Sequence, residues 1–233
     1  MSALAALPMY DWPEARAQTD RLYAALRVRV PELPPELTRP ADATALHALW
    51  RDPALVLAQT CWGPMGQGLA AHVMVLAQPD YGDVSGGRGV FYRSALVARD
   101  GKICPVPTSP DAALPEGLAQ MRLAINGADS LSGALAPVAD AEISLEGAQV
   151  TGSHRASVRA VAEGRADMAA IDCRSWAMAR AHEPAAGALR VIGWTAERAG
   201  LPFITSRHTP AALRARLTDA LVALGAHAPT RAA

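Results

Sequence analysis

The sequence predicts an α/β protein of two lobes, each a mostly parallel sheet flanked by helices. Three features point there: short apolar runs that end in Gly-, Ser- or Pro-bearing turns, stretches of helical period between them, and a Pro-rich change of composition near the middle of the chain. At 233 residues, 51% of them hydrophobic, the chain is long enough to bury one large or two small cores.

Residues 4–10 form a short apolar strand closed by the turn Asp11-Trp12-Pro13. Residues 14–28 then place Ala15, Leu22, Leu26 and Val28 at near-helical spacing, which predicts a helix. Pro31, Pro34, Pro35 and Pro40 make an extended loop, and Asp42 is placed to N-cap a helix running to Trp50. Strands follow at 54–59 and 71–76, with the turn Thr60-Cys61-Trp62-Gly63-Pro64 between them. A glycine-rich loop leads into one long strand over 89–99 and then a Pro-rich connector over 104–115. Beyond it the alternation resumes: strand 122–126, short helix 129–137, strand 148–151, helix 153–163, strand 168–171 and helix 173–181. Strands at 189–195 and 203–206 precede a last helix at 210–224, opened by a proline, and a frayed tail through Ala233.

Charge and cysteine content exclude several functions. Formal net charge is zero with acidic and basic residues mixed, and Lys102 is the only lysine, so the chain carries no electrostatic footprint for nucleic acid. Cys61, Cys104 and Cys173 are widely spaced, which predicts reduced thiols rather than a disulfide framework or a metal or redox motif. No apolar run is long enough to span a bilayer. The first residues have no basic region, and Asp11 and Trp12-Pro13 interrupt the apolar stretch, so the chain as written reads as cytoplasmic, or periplasmic if its true start lies elsewhere.

Chemistry concentrates in three turns that follow strands. Ile125 to Gly133, INGADSLSG, opens a helix with serine hydroxyls and backbone amides at the positive end of its dipole, an anion site with Ser130, Ser132 and Gly133 as donors. The alternative is that Asp129 or Ser130 only caps the helix. Val150 to Ser157, VTGSHRAS, brings Ser153 and His154 to the same sheet edge, where open α/β folds bind ligands, although a lone histidine there also suits a packed role. Gly164 to Cys173 ends a strand on Asp172, which either accepts from a ligand or caps the next helix.

Taken in order, DSxSG, GSHxAS and ADxAAxD resemble the PhnD-like phosphate, phosphite and phosphonate binding proteins of ABC importers, in the type II periplasmic-binding-protein fold. Residues 7–10, the QTC turn at 59–61 and YRSALV at 92–97 extend the resemblance over most of the chain. It implies a solute-binding protein closing on a small oxyanion-bearing ligand, with an ABC permease as partner, no cofactor, no metal and a monomeric state. It assigns ligand contacts to Ser130, Ser132, Gly133, His154 and Asp172, joined by Tyr10, Thr60, Cys61 and Tyr92. The implied lobes are 1–93 with 192–233, and 94–191, with the ligand cleft between them. Phosphonate-binding members commonly carry a hydroxyl residue between the two serines, where this chain has Leu131; one missing hydrogen bond to a charged group costs about 1.5–3 kcal/mol.

An alternative is a cytosolic enzyme on the same fold, with His154 and Asp172 as acid and base; against it, the sequence has no Gly-rich nucleotide loop, metal-ligand cluster or evident nucleophile with a base. A cytosolic ligand sensor is a third reading, with no attached signalling domain to support it.

Overall fold

The computed structural model describes residues 3–101, 107 and 109–229; Cys104 and the last four residues of the tail lie outside them. In chain order the first elements are β1 (Leu4–Ala6), α1 (Arg16–Arg29), α2 (Ala43–Arg51), β2 (Leu55–Gln59), α3 (Trp62–Gly66) and β3 (Val73–Ala77). Then come β4 (Gly87–Arg88), β5 (Phe91–Tyr92), β6 (Ser94–Arg99), β7 (Leu123–Ile125), α4 (Ala136–Ala141), β8 (Gln149–Val150) and α5 (His154–Ala162). The chain finishes with β9 (Met168–Asp172), α6 (Cys173–His182), β10 (Leu189–Trp194), β11 (Arg198–Ala199), β12 (Phe203–Ser206) and α7 (Ala211–Ala223).

The chain divides into two compact units, Met1–Asp80 with Gly200–Ala233, and Tyr81–Ala199. Strands β6 and β10 lie whole within the second.

In the first unit the sheet runs β1-β2-β12-β3. Strand β1 pairs parallel with β2, and β12 runs antiparallel to both β2 and β3, so three of the four strands share a direction. A bulge opposite Leu4 and Ala5 shifts the register and sends Leu55 and Leu57 to different cores. One core gathers Tyr23 and Leu26 of α1 with Leu217 and Leu221 of α7, and the other gathers Leu49 and Trp50 of α2 with Met65. Both sheet faces are therefore covered, as the apolar β2 sequence requires. Helix α2 starts where Asp42 accepts the Ala45 amide at 2.8 Å.

The second unit is built on the sheet β10-β6-β9-β7-β8. Strands β7, β8 and β9 are parallel, and only β6 opposes its neighbours. Strand β9, MAAID, is buried at every position and sits in the middle. The single long strand expected over 89–99 is instead two. Phe91 and Tyr92 join the small antiparallel sheet β11-β5-β4, the chain turns at Arg93, and β6 enters the main sheet. At Arg93 the backbone changes partners: its N–H donates to the Gly86 carbonyl at 2.8 Å, beside the small sheet, and its carbonyl accepts the Cys173 amide at 3.1 Å, beside β9.

Candidate functional site

Parallel pairing brings the C-terminal ends of β7, β8 and β9 to one edge of the second sheet. Each strand there gives way to a polar turn. After β8, Gly152 takes φ +86°, a conformation that suits glycine, and Ser153 caps α5 by accepting the Ala156 amide at 3.1 Å. After β9, Asp172 Oδ1 accepts the Ser175 amide at 3.0 Å and so starts α6.

The turn after β7 is wider. The Ser130 carbonyl accepts from both Ala134 N at 3.1 Å and Leu135 N at 3.0 Å, giving one π turn over Leu131–Leu135 that runs on into α4. Pro137 has no N–H to carry the ladder back to this turn. Ser130 Oγ accepts the Gly133 amide at 3.2 Å, so Ser130 does cap this helix, and Gly133 N–H is engaged by that cap rather than open.

Ser130, Ser132, Gly133, His154 and Asp172 come together at this edge. Ser130 Oγ lies 3.4 Å from Ser132 Oγ, and Ser132 Oγ lies 2.9 Å from His154 Nε2. Asp172 Oδ2 lies 3.3 Å from the same ring nitrogen. Burial lowers the His154 pKa, and the Asp172 carboxylate only partly offsets this, so the ring is neutral at physiological pH. A carboxylate facing Nε2 places the ring proton there, where it donates to Asp172, and leaves Nδ1 as an acceptor.

Two residues that the sequence did not single out complete the cluster. Asn126, directly after β7, lays its Oδ1 over Gly133, and this oxygen is buried without a hydrogen-bond partner. His154 Nδ1 is likewise buried without a partner. Ser94, fully buried on β6, pairs in register with Asp172, and its Oγ also has no partner. Cross-strand partners share a sheet face, so Ser94 belongs to the Asp172 side of the cluster. Asn126 sits inside the INGADS motif, where its place after a strand was the available signal; nothing local in the sequence reveals the Ser94 register.

The arrangement does not make a Ser-His-Asp relay. In such a relay the carboxylate holds the ring nitrogen opposite the nucleophile, whereas here Ser132 and Asp172 meet the same nitrogen. Cys173, next to Asp172, is no better a nucleophile, since burial and the Asp172 charge push its thiol up to about 12. What the cluster offers an oxyanion is two serine hydroxyls at a helix start, while the carboxylate holds the neutral imidazole beside them.

The remaining candidates are placed differently. Tyr92 is 1% exposed in the second unit, its ring tilted against Tyr81 at 5.6 Å between centroids. In the first unit, Tyr10 follows β1, and Thr60 and Cys61 follow β2, two strands whose ends share an edge by their parallel register. Thr60 is fully buried with Oγ1 unpartnered, while Cys61 is buried at the start of α3. Trp62 packs against a core cluster and donates to the Gly200 carbonyl at 2.7 Å. Among the described residues no group of His, Cys, Asp and Glu could hold a metal ion, and no helix is long and apolar enough to cross a membrane.

A model of the periplasmic substrate-binding proteins of phosphonate ABC transporters matches residues 4–233. No curated protein matches by sequence. Among solved structures, PhnD1 from Prochlorococcus marinus (MIT 9301), in complex with methylphosphonate, superimposes with a TM-score of 0.72 at 16% identity over 94% of this chain and 84% of that one. A binding protein component of an ABC phosphonate transporter (PA3383) from Pseudomonas aeruginosa gives 0.67 at 16% identity, over 97% and 80%. A histidine kinase sensor domain with similarity to periplasmic binding proteins gives 0.65 at 16% identity, over 97% and 98%. At such identities the likeness establishes the fold, that of type II periplasmic binding proteins.

Proposed function

The chain belongs to the family of phosphonate periplasmic substrate-binding proteins of ABC transporters, and from that premise we propose that it binds a small oxyanion of the phosphonate, phosphite or phosphate class at the Ser130–Ser132–His154 cluster. Ser130 and Ser132 supply hydroxyls to the oxyanion, the Ser132 amide at the helix start adds a donor, and His154 stands beside it, oriented by Asp172. The observation that carries this reading is the 2.9 Å contact between Ser132 Oγ and His154 Nε2 at a helix start, beside a buried imidazole nitrogen that has no protein partner. A buried polar atom left unmade costs about 1–3 kcal/mol, and since Nδ1 is an acceptor only a ligand oxygen that carries a proton can relieve that cost. The Gly133 amide joins in only if the oxyanion displaces the Ser130 cap.

Leu131 stands between the two serines, so this turn has one hydroxyl fewer than phosphonate-binding members commonly present. Replacement of Leu131 with threonine is expected to tighten methylphosphonate binding about tenfold or more. The family context supports a role beside an ABC permease in the periplasm.

Titration calorimetry and thermal shift with methylphosphonate, phosphite and phosphate test the proposal. The expected result is binding of at least one of them, recovered chemically unchanged, with a melting temperature that rises with ligand concentration. Binding left intact by Ser132→Ala, or no binding of any of the three, overturns it.

A further inference from the structure

The cluster holds a neutral imidazole whose Nδ1 is buried without a partner, and Asn126 Oδ1 is a second buried acceptor without one. The Asn126 oxygen and the His154 ring both lie against Gly133: a Cβ built there would fall 1.9 Å from Asn126 Oδ1 and 3.2 Å from His154 Cε1, the carbon between the two ring nitrogens. Two bare acceptors at a site for a negatively charged oxygen are mismatched unless a proton lies between them and that oxygen. We propose that oxyanion binding takes up one proton, shared between a ligand oxygen and His154 Nδ1, with the Asn126 carbonyl oxygen as its second acceptor. This rests on the oxyanion reading above and deepens it, because it fixes the protonation state in which the ligand is held.

The surrounding charges leave His154 as the site of uptake. On α5 itself Arg155 is bound to Glu183 at 2.8 Å. From β9, Asp172 faces Nε2. From α6, Arg174 is held by Asp83 at 2.6 Å and the Cys173 thiol is neutral. On β6, Arg99 bonds the Val161 carbonyl at the far end of α5, and on β10 Arg190 pairs with Asp100. Asp129 lies on the turn that leads to Ser130, its Oδ1 beside Gly127. An arriving anion therefore adds to the negative charge of Asp172 around one neutral imidazole, which raises its proton affinity.

A monoanionic ligand brings the shared proton with it, whereas a dianion leaves it to be drawn from solution. Calorimetric titration with methylphosphonate, run at each pH in two buffers of different ionisation enthalpy, reads the number of protons taken up. The expected uptake is close to zero below the ligand's second ionisation and rises toward one above it. A fluorinated methylphosphonate, more acidic at that step, shifts this rise to lower pH. His154→Gln abolishes the uptake and weakens binding about tenfold more on the alkaline side than on the acidic side. Binding with no uptake across the range overturns the inference and leaves the functional reading standing, as does uptake that persists in His154→Gln. Absence of binding by every oxyanion overturns both. The native-chain titration decides the matter even if His154→Gln fails to fold.

Discussion

Asn126 Oδ1 fills the space that a side chain on Gly133 would need: a Cβ there falls 1.9 Å from that oxygen. Gly133→Ala gains about 1 kcal/mol in helix propensity, yet the overlap costs about 1–3 kcal/mol because the Asn126 amide oxygen is buried at the end of a short side chain. The net expectation is a loss of about 1 kcal/mol in urea unfolding together with weakened ligand binding. In the double variant with Asn126→Ala the overlap is gone, so the alanine at 133 should then stabilise. A single Gly133→Ala variant more stable than the parent would mean that the Asn126 amide moves aside without cost.

Ser130 and Ser132 are two residues apart and do different work. Ser130 Oγ accepts the Gly133 amide, whereas Ser132 Oγ turns to His154. Ser130→Ala is therefore expected to cost about 1 kcal/mol of stability as a lost cap. Ser132→Ala should leave unfolding nearly unchanged and instead lower oxyanion affinity at least tenfold. Equal stability losses in the two variants would show that the pair acts only in capping.

The contrast explains how far the sequence could be read. Capping is local, so Asp42, Ser153 and Asp172 were visible as helix starts, and the final helix at Pro210 was placed to within a residue. The three turns were legible because strand ends of parallel sheets collect on one edge. The cluster's geometry was not. That Ser132 and Asp172 meet one nitrogen of His154 depends on side-chain direction, and the Ser94–Asp172 pairing depends on a register between residues far apart in sequence. The break at Arg93 was hidden because Phe91 to Arg99 alternates well enough to read as one strand; it shows only in the backbone pairing, where Arg93 bonds Gly86 through its N–H and Cys173 through its carbonyl.

Burial keeps His154 neutral in the folded protein, with its pKa lowered, while in the unfolded chain it titrates near an ordinary histidine value of about 6.5. The unfolded state thus binds more protons as pH falls through that value, and stability must decline on the acid side. Urea unfolding of the ligand-free protein between pH 7.5 and about pH 5.5 checks this. The expected result is a loss of stability toward acid that is smaller in His154→Gln. A curve of the same slope in both proteins would place the pH dependence elsewhere.

At the other end of the helix that begins with the serine turn, Asp140 receives Arg198 through both nitrogens at 2.7 Å and the Ala196 amide at 2.7 Å. Burial acts to raise the Asp140 pKa, but the Arg198 and Ala196 hydrogen bonds outweigh it and hold the carboxyl below its usual range. Its contribution is therefore complete above the ordinary carboxylate value of about 3.9 and fades as pH falls through the lowered one. Both side chains are mostly shielded from water, at 15% and 20% exposure, so this pair should exceed the near-zero value of most surface pairs. Asp140→Asn keeps the shape and removes the charge, and a loss of about 2 kcal/mol at neutral pH is expected, with convergence on the parent in strong acid. Arg198→Met alone should cost less than Asp140→Asn, because Asp140 retains the Ala196 amide whereas Arg198 loses its carboxylate and keeps only the Ala196 carbonyl. Were the two losses to add in the double variant, the pair would carry no coupling, and the link between the end of α4 and β11 would rest on backbone contacts instead.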